Sequence, residues 1–452
     1  MKKLRFLSLI MTVCLLLTAV SPCAFALEKP QIKSARSVLV GDMESGRILL
    51  AENAYTRSEP ASITKMMTIL LAVEAIERGD ASLDDMVTAS TTCNADLTED
   101  SSTSNIYPGE VMSLKDLLYC AALASANEAC NIIAEHIAGS VSAFVDKMNE
   151  RAEELGCSGT HFANTHGLPN PDHCTTARDL FLIACEAMHH ELFAELCSTA
   201  SYTTAETNNA NERSLSNSNA LINSKSVYGD HYVYEGAKGI KTGHTDAAGF
   251  CLVSAAERDG IQLIAVVLGA SGDTEKREYF DNFEDSITLL DWVFDNFSYR
   301  TLVSVEDIVG TQPVLDGERQ GKVNLSPTEA ISALVPEDIN VYQLKKDIKL
   351  YNDSISEVKE GDELGELTLS DADGNIFGTV KLVAAGDIVY GESGGAEDVQ
   401  PTGLSDMQKT AIIIVCAILL VIVAIVALAV VRRRRYVKAR RRKAEMERRR
   451  RG

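Results

Sequence analysis

Three short patterns in this 452-residue chain set a hydroxyl beside an amine or an amide at spacings that suit acyl transfer. The first is Ser62-Ile63-Thr64-Lys65. A serine hydroxyl is a weak nucleophile until a neighbour takes its proton. A lysine can take that proton only as a neutral amine, which requires a lowered pKa. Ser62 follows Pro60 and opens an apolar run with helical repeat, Met66, Ile69, Leu70, Val73 and Ile76. Lys65 then stacks one turn above Ser62 on the same face. Capping the helix N-terminus is the other role open to Ser62. A second copy, Ser356 to Lys359, lies in the polar run 354–362 and reads as solvated loop.

The second pattern, Ser125-Ala126-Asn127, sits in the small-residue helical stretch 120–136. Its polar groups suit either catalysis or a buried structural hydrogen bond. The third, Lys241-Thr242-Gly243, lies just ahead of an apolar strand at 249–257, where glycine allows close backbone approach. An ordinary polar strand or turn is its bland reading. In this order, S-x-x-K, S-x-N and K-T-G make up the constellation of serine acyl-transfer enzymes that act on D-Ala-D-Ala or penicillin. The sequence resembles the D-alanyl-D-alanine carboxypeptidase family, the low-molecular-mass penicillin-binding proteins. Glu59-Pro60-Ala61 ahead of Ser62 agrees with that family. So do Thr160-His161-Phe162-Ala163-Asn164 with Gly167-Leu168, and Thr175-Thr176-Ala177-Arg178-Asp179-Leu180.

The resemblance implies a role for each residue. Ser62 is the nucleophile and Lys65 its base, the Lys65 pKa being lowered by burial together with a positive charge from Lys241. Ser125 relays a proton to the leaving amine. Asn127 binds the substrate amide, and Lys241 and Thr242 bind the terminal carboxylate, helped by Arg277. The backbone N–H groups of Ser62 and His244 form the oxyanion hole. No cofactor or metal is implied. The implied partner is the peptidoglycan stem peptide, with β-lactams as inhibitors. A DD-endopeptidase or a non-catalytic penicillin-binding receptor are the alternatives. A β-lactamase would need a deacylating Glu in an E-x-x-L-N setting, and none lies between the second and third motifs.

The elements that position these residues follow from periodicity. Strands are expected at 37–42, 47–52, 249–257 and 261–270, the last two joined by a hairpin turn at Arg258-Asp259-Gly260. Helices are expected at 62–78, 113–137, 140–155, 176–190 and 286–297. Strands at both ends with helices between make an α+β layout. The resemblance sharpens it to a β-lactamase/DD-peptidase-like antiparallel sheet with helices. From 298 the texture changes to short apolar runs between turns, a small all-β domain over 298–390 that includes a run at 341–350.

The chain ends add a topology. Residues 1–26 have a basic start, an apolar run and Ala24-Phe25-Ala26, a secretory signal. Residues 411–431 carry no charge and are long enough to span a bilayer. The tail 432–452 holds 13 basic and 2 acidic residues, which keeps it cytoplasmic. A flexible linker at 391–410 joins the body to this single-pass membrane helix. The expected catalytic domain is 27–297, outside the cell membrane. Residues 27–431 carry 27 basic and 62 acidic side chains, a net charge of −35 that excludes a nucleic-acid partner. Eight of the 11 cysteines fall in the body, an even number that would permit disulfides, but the runs around them are largely apolar and mostly free thiols are expected. His189-His190 lacks a third metal ligand at a recognisable spacing.

Overall fold

The computed structural model describes residues 27–390 except 100, 227, 274–278, 317, 318 and 373. The segments read as signal, linker, membrane span and tail lie outside the described residues, as does Arg277. Among the described residues no helix is long and apolar enough to cross a membrane.

Strands β1 (Ser37–Asp42) and β2 (Ile48–Glu52) form the first hairpin. Every residue of β1 is buried, because Leu39 enters one core while Val38 and Val40 enter the opposite one. A short 3-10 turn, Ala61–Thr64, leads into α1 (Lys65–Glu77), in which ten residues are buried. A helix apolar on all sides belongs at the centre of a core, and α1 sits there. The small hairpin β3 (Met86–Thr88) and β4 (Val111–Ser113) precedes α2 (Leu114–Ala122) and α3 (Asn127–Ala138). In α4 (Val141–Glu154) only Phe144, Met148 and Ala152 are buried, one stripe at a spacing of four. Then come α5 (Ala177–Met188), whose first turn is capped by Thr176 accepting from the Asp179 N–H, and α6 (Glu191–Ser198).

A second small hairpin, β5 (Ser201–Thr203) and β6 (Ser214–Ser216), leads to β7 (Ala237–Thr245), β8 (Gly249–Arg258) and β9 (Ile261–Ala270). The main sheet runs β2-β1-β9-β8-β7, antiparallel throughout. Helices α1 to α6 cover one face, and α7 (Asp281–Asn296) covers the other. The expected α+β layout stands.

Beyond α7 the chain is β-rich, with its own core of Val314, Val323, Leu325, Leu367 and Leu382. Here β10 (Phe297–Val303) pairs with β13 (Ile331–Pro336), β11 (Gly310–Asp316) neighbours β12 (Arg319–Pro327), and β14 (Lys345–Leu350), β15 (Glu363–Ser370) and β16 (Ile376–Tyr390) complete a five-stranded sheet.

Four expectations need correction or completion. The helix read over 113–137 is two helices, broken where Ser125 adopts φ 59° and Ala126 is extended. No Gly or Pro marks the break, so the periodicity runs through it unseen. The last helix starts at Asp281 rather than 286, with Asp281 and Glu284 in its first turn, where acidic groups suit the helix dipole. Lys241-Thr242-Gly243 precedes β8 as expected, but it lies itself within a strand, β7, that the periodicity did not place. Val341–Gln343 is a 3-10 turn, leaving only Lys345–Leu350 of the run 341–350 as strand. All eight body cysteines are free thiols, and seven of them are buried.

Candidate active site

The nucleophile turn is an unusual piece of backbone held by buried polar groups. Ala61 carries φ 46°, in the left-handed region that a residue with a Cβ adopts only at a cost. The Thr64 hydroxyl donates to the Ala61 carbonyl at 2.9 Å and contacts His173 Nε2 at 2.7 Å. His173 Nδ1 accepts the Ala163 N–H at 2.9 Å, so Nε2 carries the hydrogen and donates to Thr64. Burial pulls His173 down to about 4, which keeps the ring neutral. On the other side Gly167, at φ 94°, lies so close that a Cβ there would stand 1.8 Å from the Ala61 carbonyl oxygen.

Ser62 is half-buried within this turn and caps no helix, since its hydroxyl accepts from Lys65 Nζ at 2.9 Å. Lys65 is fully buried and donates as well to the His166 carbonyl at 2.7 Å. Burial pulls its amine down to about 8. Lys241 on β7 is also buried, donates to its neighbour's carbonyl at 3.2 Å, and is pulled down to about 7 by burial and then by repulsion from Lys65. Burial, one of the two causes expected for Lys65, lowers both amines, and the like charges of the pair oppose one another. Neither lysine forms a salt bridge with a carboxylate among the described residues.

Gly243 explains how the third motif reaches the first. A Cβ at Gly243 would lie 3.1 Å from the backbone nitrogens of both Ser62 and Ile63, so β7 packs directly on the nucleophile turn. Thr242 Oγ1 lies 2.6 Å from Ser218 Oγ. His244 is exposed, with its ring stacked on Phe250 at 4.2 Å. Ser125 and Asn127 are buried at the α2–α3 break, and the Asn127 N–H donates to the Ser102 carbonyl at 2.9 Å. Ser125 Oγ and Asn127 Oδ1 are buried without a hydrogen-bond partner among the described residues. Such groups cost stability when left unmet and are worth retaining where a substrate meets them. The second S-x-x-K copy is exposed and outside any helix.

Several residues with evident work here carried no role in the sequence reading. Ser218 had no signal at all. Gly167, His166 and His173 sit in or beside segment 160–168, which was legible only as a family signature. Away from this site, Glu74, Glu186 and His190 come within ligand distance of one another. Arg151 already binds both carboxylates, so the cluster supports no metal assignment.

A five-stranded antiparallel sheet backed by helices, with a Ser–Lys pair at the head of the central helix, is the architecture of the penicillin-recognising serine acyl-transfer proteins. Comparison with known proteins narrows that class. The family profile for D-alanyl-D-alanine carboxypeptidase matches residues 23–272, and the profile for the penicillin-binding protein 5 C-terminal domain matches residues 297–390. The chain is 32% identical to D-alanyl-D-alanine carboxypeptidase DacF of Bacillus subtilis strain 168, over 85% of this chain and 94% of that one. It is 34% identical to DacC of Escherichia coli K12, over 70% and 76%. Among solved structures, penicillin-binding protein 5 of Haemophilus influenzae superposes with a TM-score of 0.62 at 28% identity, over 80% of this chain and 99% of that one. This chain belongs to the D-alanyl-D-alanine carboxypeptidase family.

Proposed function

We propose that the protein is a serine-type D-Ala-D-Ala carboxypeptidase, which removes the terminal D-Ala from peptidoglycan stem pentapeptides through an acyl-enzyme on Ser62. The observation that carries this reading is the buried Lys65 amine, 2.9 Å from the Ser62 hydroxyl and held at about 8. That is close enough to working pH for a general base.

The two buried amines titrate as a coupled pair, each lowered by burial. Chemistry needs the arrangement in which Lys65 is neutral and Lys241 charged. The substrate's terminal carboxylate, bound at Lys241 and Thr242 with help from Arg277, favours the charged Lys241 and so directs the proton there. Neutral Lys65 then takes the Ser62 proton as Oγ attacks the carbonyl of the penultimate D-Ala. Negative charge gathers on that carbonyl oxygen, which the N–H groups of Ser62 and His244 stabilise. The C–N bond breaks, and the proton held by Lys65 passes through Ser125 to the departing amine. Asn127 holds the substrate amide in register. Water then hydrolyses the ester, regenerating Ser62. A penicillin opens its lactam on the same serine, but its amine stays tethered and the ester persists.

Residues 27–297 form the catalytic domain in this reading, and 298–390 a stalk. Residues 1–26 are a signal peptide, and 391–410 a linker to a membrane span at 411–431. The tail at 432–452 is cytoplasmic.

Intact-mass analysis after exposure to benzylpenicillin, beside D-Ala release from an acyl-D-Ala-D-Ala peptide, tests the activity. One adduct together with release supports it, and an adduct without release overturns the carboxypeptidase assignment. The two lysines also predict the pH dependence. Acylation requires Lys65 to lose its proton and Lys241 to keep one, so kcat/KM falls on both sides of a narrow maximum between about 7 and about 8. A profile flat from about pH 6 to about 9 would remove the two lysines from the mechanism.

A further inference from the structure

We propose that Asp96 is a positioning residue for acylation, holding the His166 ring and thereby the carbonyl that aims the Lys65 amine. The inference rests on the reading of Ser62 as nucleophile and Lys65 as base. A neutral amine has two N–H bonds and one lone pair. With one N–H committed to the His166 carbonyl at 2.7 Å, the lone pair can turn towards Ser62 Oγ. The direction of that carbonyl therefore decides whether the base is aligned.

The peptide unit of that carbonyl is held in front by Asn164 Oδ1, which accepts the Gly167 N–H at 2.7 Å, and behind by a set of hydrogen bonds through the His166 side chain that runs away from the substrate side. His166 Nδ1 accepts the Leu168 N–H at 3.2 Å, so its hydrogen is on Nε2, which donates to Asp96 Oδ2 at 2.9 Å. The other oxygen, Asp96 Oδ1, accepts from Asn131 Nδ2 at 2.8 Å. Asn131 Oδ1 accepts the Thr165 hydroxyl at 2.6 Å, and the Thr165 carbonyl accepts the Thr68 hydroxyl at 2.6 Å. Two successive residues, Thr165 and His166, thus hold Lys65 and Thr68 on the first turn of α1 with their carbonyls. Their side chains are gripped from behind by the Asn131–Asp96 pair.

Asp96 is the open end of this arrangement. The His166 side chain is 1% exposed, whereas that of Asp96 is 46% exposed. Asp96 and Asn131 line a cavity of about 760 Å³ together with Glu135 and His136. Asp96 is therefore not held by dense packing, and its contribution is the pair of hydrogen bonds. Both partners are donors, so a carboxylate is the group that suits them. An asparagine would turn an N–H₂ group towards one of them, and an alanine would leave the buried His166 Nε2–H unmet.

The test uses the full chain and benzylpenicillin, resolving acylation by rapid quench and intact mass into a binding constant and a rate constant. Asp96→Asn should lower the acylation rate constant by about tenfold or more, because misaligned reacting groups lose rate steeply. Its binding constant should stay within about twofold, since Asp96 touches no substrate in this scheme. Glu135→Gln is the control, because Glu135 lines the same cavity and accepts from Ser90 and Thr92 instead. It should keep the wild-type rate constant. The inference is overturned if Asp96→Asn acylates at the wild-type rate, if its loss lies in the binding constant, or if Glu135→Gln loses rate equally. A wild-type protein that forms no adduct would overturn the Ser62–Lys65 reading itself, and this inference with it.

Discussion

Ser62→Ala is expected to abolish both the benzylpenicillin adduct and D-Ala release while leaving the fold intact. Removing the nucleophile of such a site costs on the order of 10⁶ in rate, because no neighbouring group can take over the covalent step. The variant loses one hydrogen bond, from Lys65 Nζ, while that amine keeps the His166 carbonyl. A single hydrogen bond of this kind contributes about 1 kcal/mol, so thermal unfolding should shift by only a few degrees. The readouts are intact mass, D-Ala release and the melting temperature. An adduct of undiminished stoichiometry in Ser62→Ala would mean that another hydroxyl is acylated. Ser125 would then be the first to replace, being buried at the α2–α3 break with no partner for its Oγ among the described residues.

Gly167→Ala should be the most damaging change of a residue outside the three motifs. Its φ of 94° is strained for any residue with a side chain. The new Cβ would also stand 1.8 Å from the Ala61 oxygen, 2.4 Å from the Ala61 carbonyl carbon and 2.9 Å from Thr64 Oγ1. The first two are backbone atoms of the nucleophile turn, and Ala61 is itself in a left-handed conformation, so the turn has little room to yield. A loss of roughly 4 kcal/mol or more in unfolding free energy follows. In whatever fraction stays folded, displacement of Ser62 should cost about 100-fold in acylation. Gly139→Ala is the comparison. Gly139 also has positive φ, at 78°, but a Cβ there meets nothing within 4 Å, so the change should cost only about 1–2 kcal/mol. Equal melting temperatures and equal acylation in the two variants would show that the approach of Gly167 to Ala61 is not what sets the turn.

Much of this protein is legible along the chain because the relevant physics is local. The Ser62–Lys65 spacing, the helical repeat of α1, the alternating strands of the 249–270 hairpin and the change of texture near 298 depend on neighbours a few residues apart. Residue types alone also identify the three motifs, and with them the family. The sequence did not reveal what holds those motifs together. The grip of His173 on Thr64 joins residues 109 apart, and that of His166 on Asp96 joins residues 70 apart. The Thr242–Ser218 contact links two polar residues that nothing in their surroundings singles out.

The α2–α3 break teaches the same lesson from within one segment. Helical apolar spacing continues through 114–138, yet the chain turns left-handed at Ser125, where the site needs Ser125 and Asn127. Periodicity reports which face of a segment is buried, and it is blind to a single residue whose backbone is fixed by distant packing. The lysines divide in the same way. Their presence and spacing are written in the sequence, whereas their pKa values depend on complete removal from water. Composition determined the chemistry available to this protein. Burial, which exists only once α1, α3 and β7 have closed around Lys65, decided that a lysine there can act as a base.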